Sequence, residues 1–337
     1  MKNFHFFSKI FLFLLLIVNF SYSYFKKNEA GQEVFSFVAL FQSPRNTALE
    51  HANAAEPSND PGISFLNPAA LRVPEGENNN IAFYWNTGDL AENQGVITYV
   101  RALNTIVVQA TYGWIAYGDI DEIDENAEET GKTHSPLSSL FALSASIPFR
   151  HIQVGVTTKL ITDKLTDDSE DQVALGLAFD WGISWISENE RYGLTLSARD
   201  FGTMIRDYSD DGELSSYAMS QTFALAAFFK PRPLPRLSLY LESTFPRYSQ
   251  SALRLAAEYA LSSHFYLRGG FSRTWLDLSR DFKELFASAE RPDEANEIRL
   301  FSLGIGYLYS NFGLDYSFSY LTQGMGLEHR VGIRFAF

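Results

Sequence analysis

The chain has 337 residues, with 27 Lys and Arg against 40 Asp and Glu, and no cysteine. A formal charge of −13 argues against a phosphate-backbone binder, which needs concentrated Lys and Arg. Without cysteine there are no disulfides, thiolate metal sites, Cys nucleophile or lipid-modified N-terminal Cys.

Aromatic residues are abundant, with 17 Tyr and 29 Phe, yet mean hydropathy is near zero, which excludes a helical membrane protein. At the start, Lys2 and Lys9 border a continuous apolar run from Ile10 to Val18. Ser21-Tyr22-Ser23 then supplies small residues where a signal peptidase reads. Residues 1–23 read as a secretory signal cut after Ser23, because the run is too short for an anchor of about 20 apolar residues. Residues 24–80 alternate weakly and carry Pro44, Pro57, Pro61, Pro68 and Pro74. They read as a periplasmic lead-in that folds into a barrel mouth as a plug.

From Ile81 onward, strand-like runs follow one another. They lie near 81–85, 96–102, 105–117, 138–147, 152–161, 173–186, 192–199, 221–230, 237–245, 252–261, 265–275, 298–309, 312–321 and 329–337. The connections alternate between long and short. Long ones fall at 86–95, 118–137, 162–172, 200–220, 276–297 and 322–328, and only 246–250 is brief where a long one is due. Bacterial outer-membrane barrels have short periplasmic turns and longer extracellular loops.

The faces alternate as well. In Val173–Trp185 every odd position is large and apolar, while the even positions are Ala, Gly, Ser or Asp180. Such a stretch also suits a half-buried strand of a soluble sheet, but at 13 residues it is long enough to cross a bilayer at a tilt, which needs roughly 9–11. Ile152, Val154, Val156 and Leu160 similarly oppose Gln153, Thr157 and Lys159. Leu253 and Leu255 oppose Arg254 and Glu258. The polar faces place Lys159, Asp180, Glu242, Arg254, Glu258, Arg268, Asp315, Arg330 and Arg334 in a lumen, with both signs present. Mixed signs predict ion pairs that fill and stiffen the interior. Trp181, Trp185, Tyr192, Tyr307, Tyr309, Phe312 and Phe335 read as interfacial aromatic girdles. Phe337 ends the last alternating strand, as in outer-membrane barrels. Residues 81–337 are therefore predicted to form an all-β, 14-stranded antiparallel transmembrane barrel of the outer membrane, with 24–80 as its plug-like segment.

Signals of chemistry are sparse. Histidines lack metal-ligand spacing, and the sequence points to no cofactor and no metal. A Ser–His–acid site drawn from Ser319, His329 and Asp315 is the one catalytic arrangement available, and chance pairing explains it; the reading is of a protein that is not an enzyme. Asp119–Glu129 and Asp163–Asp171 are acidic loops, readable as solvated or as loose divalent-ion binders. Leu278, Phe282, Leu285, Phe286 and Ala289 predict a short amphipathic helix in the longest late loop.

Two segments resemble the PorV/PorQ family, outer-membrane barrels of the type IX secretion system. Ser43-Pro44-Arg45-Asn46-Thr47-Ala48-Leu49-Glu50 is similar to a family segment that ends in Gly where Glu50 stands here; Ser43 and Arg45 match. The family's Asn-Pro-Ala motif stands at Asn67, Pro68 and Ala69. Tyr117, Gly118 and Asp119, with Thr130-Gly131, resemble the PorQ branch. The resemblance implies a fatty-acid-transporter-like barrel that anchors a surface partner of the cargo attachment complex, PorZ-like or PorU-like. A channel for hydrophobic small molecules is the alternative.

Overall fold

In the computed structural model, residues 33–88, 91–167, 172–208, 218–287, 299–321 and 327–337 are described. The predicted signal at 1–23 lies outside them, as do Asp168, Glu170 and Asp171 of the second acidic loop. Fourteen of the described strands close into one antiparallel barrel. In chain order they are β1 (Asn79–Gly88), β2 (Ala91–Leu103), β3 (Ile106–Ala116), β6 (Leu137–Phe149), β7 (Ile152–Lys164), β8 (Ala174–Ile186) and β9 (Tyr192–Arg206). The second half comprises β10 (Thr222–Phe229), β11 (Leu237–Pro246), β12 (Ala252–Ala260), β13 (Phe265–Thr274), β14 (Arg299–Tyr309), β15 (Phe312–Leu321) and β16 (Leu327–Ala336). A small hairpin, β4 (Ile120–Ile123) with β5 (Glu129–His134), stands in the connection between β3 and β6.

Closure comes from β1, which pairs with β2 on one side and β16 on the other. The last residue takes part: Phe337 N–H donates to Asn79 O at 2.9 Å, and Asn79 N–H to Phe337 O at 2.8 Å. A closed sheet leaves no unpaired edge, which is what a strand structure requires in hydrocarbon.

Side-chain facing follows the sequence pattern. In β8 every even residue from Ala174 to Ile186 is buried, whereas Phe179, Ile183 and Trp185 are exposed on the outer wall. Outside, Trp185 packs on Tyr192 and Phe265 on Tyr307 near the short-turn end, with ring centroids 5.7 and 5.0 Å apart. Trp181 stands four residues up the strand, about 13 Å higher, against Phe223, so it belongs to the mid-wall rather than a girdle.

Two boundaries differ from the sequence reading. The connection expected at 86–95 is only residues 89–90, because β1 and β2 stay paired as far as Gly88 and Ala91. Asn86, Glu92 and Asn93 carry no apolar alternation, so the pattern stops before the strands do. β9 likewise runs on to Arg206. It does so across a register shift opposite Phe179–Trp181, where Asp200 takes a left-handed φ of 59°. The predicted late-loop helix is present as α2 below, at Trp275–Ala287, starting three residues earlier than expected.

The interior is filled by residues 35–71. Three short helical pieces begin there in the same way. Ser43, Asp60 and Asn67 each precede a proline and accept the backbone N–H of Asn46, Gly62 and Ala69 respectively. A polar N-cap followed by Pro at the first helical position is a strong start signal. They head the helix α1 (Pro44–Ala48) and the 3-10 turns Pro61–Phe65 and Pro68–Ala70; α2 is the loop helix. Phe35, Phe41 and Phe65 pack against Tyr84, Ile115 and Leu140 of the wall, while Leu49, Ile63 and Leu66 pack towards Val100, Phe228 and Tyr240.

Candidate functional site

Arg45 is buried in the barrel interior, between the plug and the β11–β12 wall. Its guanidinium donates to Glu56 at 2.8 Å, to Glu258 at 3.1 Å through both Nε and Nη2, and to Ser58 at 3.1 Å. Glu56 also meets Lys230 at 2.8 Å, and Glu258 meets Arg268 at 2.6 Å. Arg268 continues to Asp315 at 2.5 Å, and Asp315 to Arg334 at 3.2 Å. Lys230, Glu56, Arg45, Glu258, Arg268, Asp315 and Arg334 thus alternate in sign across plug and wall. Such a ladder satisfies buried charges that would otherwise be costly, and removing one rung strands its neighbours. The mixed-sign lumen therefore does form ion pairs, and the plug supplies their hub.

The Asn-Pro-Ala turn is fixed from the opposite wall. Asn67 Nδ2 donates to Ala54 O at 2.8 Å and to Ser184 Oγ at 2.9 Å. A Cβ on Gly182 would overlap Asn67 Oδ1, and one on Gly155 would overlap the Pro68–Ala69 peptide. Those two wall glycines exist for close approach of the turn. Ser43 donates to Asp60 Oδ2 at 2.6 Å and so joins two of the capped pieces. Glu50, standing where the family segment has Gly, has a left-handed φ of 47°. Its carboxylate accepts from Ser302 of the wall, a bond that glycine could not make. Ser43 and Arg45 thus hold one side of the plug, while Asn67, Pro68 and Ala69 pack against the opposite wall; the five do not form one site.

Tyr117, Gly118 and Asp119 shape the foot of the β4–β5 hairpin. Tyr117 Oη accepts from Ser138, and Asp119 accepts from Ser135 at 2.7 Å. Gly118 has φ +86°, and a Cβ there would meet Glu92. Burial pushes the Tyr117 phenol up, and burial with Asp163 alongside does the same to Tyr208. At the hairpin tip Asp124 accepts the N–H groups of Glu128 and Asn126, which hold it below the usual carboxylate range. Lys164 and the Ser135 N–H lower Asp167 similarly. These carboxylates serve turns, and among the described residues no cluster of His, Asp and Glu is arranged to hold a metal ion.

The Ser319–His329–Asp315 arrangement does not assemble. Ser319 and Asp315 point inward, while His329 lies on the outer wall and pairs with Tyr316 Oη at 2.7 Å. Strand alternation puts an odd residue of β16 and odd residues of β15 on opposite faces once the antiparallel register pairs His329 with Phe318.

On the β9–β12 flank the plug leaves a cavity of about 250 Å³. Phe35, Val38 and Phe65 of the plug face Met219, Pro246 and Ala252, with Lys159, Arg199, Asp200 and Arg254 around the polar end. Lys159 Nζ bridges Asp180 and Asp200 at 2.7 Å each, and Glu242 is shared by Arg199 at 3.0 Å and Arg254 at 3.2 Å. Arg199 is 8% exposed, and its Nε has no hydrogen-bond partner. Arg199 is the last residue of the predicted strand and Asp200 lies just past it; the polar pair interrupting the alternation is the signal that marks them.

No family model and no curated protein matches this chain. Solved structures do. The Ralstonia pickettii toluene transporter TbuX superposes with a TM-score of 0.57 at 13% identity, over 90% of this chain and 98% of that one. This chain is an outer-membrane β-barrel. The P. putida toluene transporter TodX gives 0.57 at 10% identity, over 88% and 98%. The CymD monoaromatic hydrocarbon channel gives 0.53 at 9%, over 88% and 97%. At these identities the likeness is one of fold.

Proposed function

We propose that the barrel binds and passes small hydrophobic molecules, which occupy the cavity between the plug and β9–β12. The observation that carries this reading is the cavity itself, about 250 Å³ and walled on one side by Phe35, Val38, Phe65 and Met219. Drug-sized pockets start at roughly 300 Å³, so this one suits a single-ring molecule. The neighbours of like fold are named for toluene and monoaromatic hydrocarbons, which are ligands of that size. The test is toluene uptake by proteoliposomes whose outer leaflet is lipopolysaccharide, with Ala252→Trp as the variant that fills the cavity. Uptake several-fold faster than in protein-free vesicles, and lost in Ala252→Trp, supports the reading. Equal uptake with and without the wild-type barrel contradicts it.

A second reading is the PorQ-like anchor of type IX secretion, holding a PorZ-like or PorU-like surface protein. It draws support from the motifs at 43–71 and 117–131 and from a plug held by buried ion pairs, which suits a static barrel. The exposed β4–β5 hairpin, with Ile120 52% and Ile123 62% exposed, gives such a partner a contact. Co-purification of a surface protein in detergent would favour it. Cargo still processed and attached in a deletion strain would exclude it.

A further inference from the structure

The lipid-facing wall carries a depression that the channel reading does not use. Outward positions on β12 and β13 are large, as at Leu255, Tyr259, Leu267 and Phe271, except where Ala257 pairs with Gly269. Leu239 and Leu303 flank that pair from the neighbouring strands. The result is an outward-opening apolar notch of about 710 Å³, continuous past Leu303 with a second of about 620 Å³. The barrel does not need glycine here. A Cβ on Gly269 would meet Leu303 at 3.4 Å and nothing closer, whereas one on the inward Gly270 would meet the plug at 2.7 Å.

Below the notch, at the short-turn end, the β10–β11 connection reads Lys230-Pro231-Arg232-Pro233-Leu234-Pro235-Arg236. Three prolines fix φ and stiffen it. Lys230 turns inward to Glu56, but Arg232 and Arg236 are exposed, and Leu234 is 53% exposed between them. Arg236 donates to Leu261 O at 3.2 Å, which lodges it between two adjacent turns under the Ala257 column. Neither this connection nor Leu261–His264 contains an acidic residue. Ala257 to Leu261 is about 13 Å of strand, which fits within the ~15 Å half-thickness of a hydrocarbon core.

We propose that this face is a binding site for an anionic phospholipid of the periplasmic leaflet, its phosphate at Arg232 and Arg236 and one acyl chain in the Ala257–Gly269 notch. Charge selects the headgroup. Two arginines with no acid on either turn favour a net negative lipid over a zwitterionic one, whose ammonium they repel. Depth selects the leaflet, since the notch and the cations lie on the same half of the wall.

The test is native mass spectrometry of the full chain in detergent, titrated with phosphatidylglycerol or with phosphatidylethanolamine of the same acyl chains. Wild type is expected to retain phosphatidylglycerol in preference by on the order of tenfold. Arg232→Gln with Arg236→Gln should bring that ratio to near unity. Gly269→Leu should lower retention of both lipids, and Ala257→Leu gives the same reading should the first variant fail to fold, with heat-modifiable gel mobility as the folding check. Equal retention of the two lipids by wild type overturns the proposal. So does unchanged retention in either the double arginine variant or the filled-notch variant, since the site needs both halves.

Discussion

On the β12–β16 flank the plug meets the wall through charge, with Arg45 reaching Glu258 and, through it, Arg268, Asp315 and Arg334. Arg330 adds two bonds to the plug backbone, at Leu40 O and Gln42 O. Around the cavity the wall charges pair among themselves, Lys159 with its two aspartates and Glu242 with its two arginines, and the plug offers them apolar rings. One flank is a lock and the other is a space. A plug held on both sides by ion pairs would seal the barrel, and one held on neither would not stay in place. Under the proposed channel function, the difference puts passage beside Phe35–Ala39 and leaves α1 as the fixed point.

The largest effect should come from breaking the lock. Arg45→Ala leaves Glu56 with Lys230 alone and Glu258 with Arg268 alone, and by analogy with other buried pairs costs up to about 3–5 kcal/mol. Limited proteolysis should then cut within 35–71 while the barrel still shows heat-modifiable mobility; an uncut plug would show that the ladder does not hold it. A charge on the outer wall tests the barrel and not the plug. Leu177→Arg should cost roughly 2–4 kcal/mol in urea unfolding from lipid, and undiminished stability would mean that the face is not in lipid. Gly182→Val should displace Asn67 and cost about 1–3 kcal/mol through overpacking, seen as faster proteolysis near Ala54 and Ala69. Asn67→Ala, which keeps the space but loses the cap and the bond to Ser184, should cost about 1 kcal/mol. An Asn67→Ala effect larger than that of Gly182→Val would mean that hydrogen bonding, and not close approach, sets this contact.

Much of the barrel was legible in the sequence because each strand reports its own facing. Val173–Trp185 shows the alternation without help from any neighbour, and Lys159, Asp180 and Glu258 in mid-strand announce an inward polar face. The pattern fell silent where strands leave the bilayer, as at Asn86–Asn93, because no apolar solvent selects side chains there. The plug was legible as a segment but not as a structure. Its three Ser-Pro, Asp-Pro and Asn-Pro starts are local and readable, whereas the wall partner of Arg45, Glu258, lies 213 positions away. Ser43, Arg45 and Asn67 were reached through resemblance. Their roles as hub and cap became clear only with the register of the wall. Arg199 and Asp200 were missed because they act at a register shift, where the period of two resets.

Hydrogen–deuterium exchange on the full chain, with and without toluene, tests the lock-and-space account most directly. The account predicts that amides of Ser36–Leu40, the turn whose Ser36, Val38 and Ala39 line the cavity, slow their exchange when toluene is present, while those of α1 are already slow and do not change. No change at Ser36–Leu40, or an equal change across the whole plug, would contradict it.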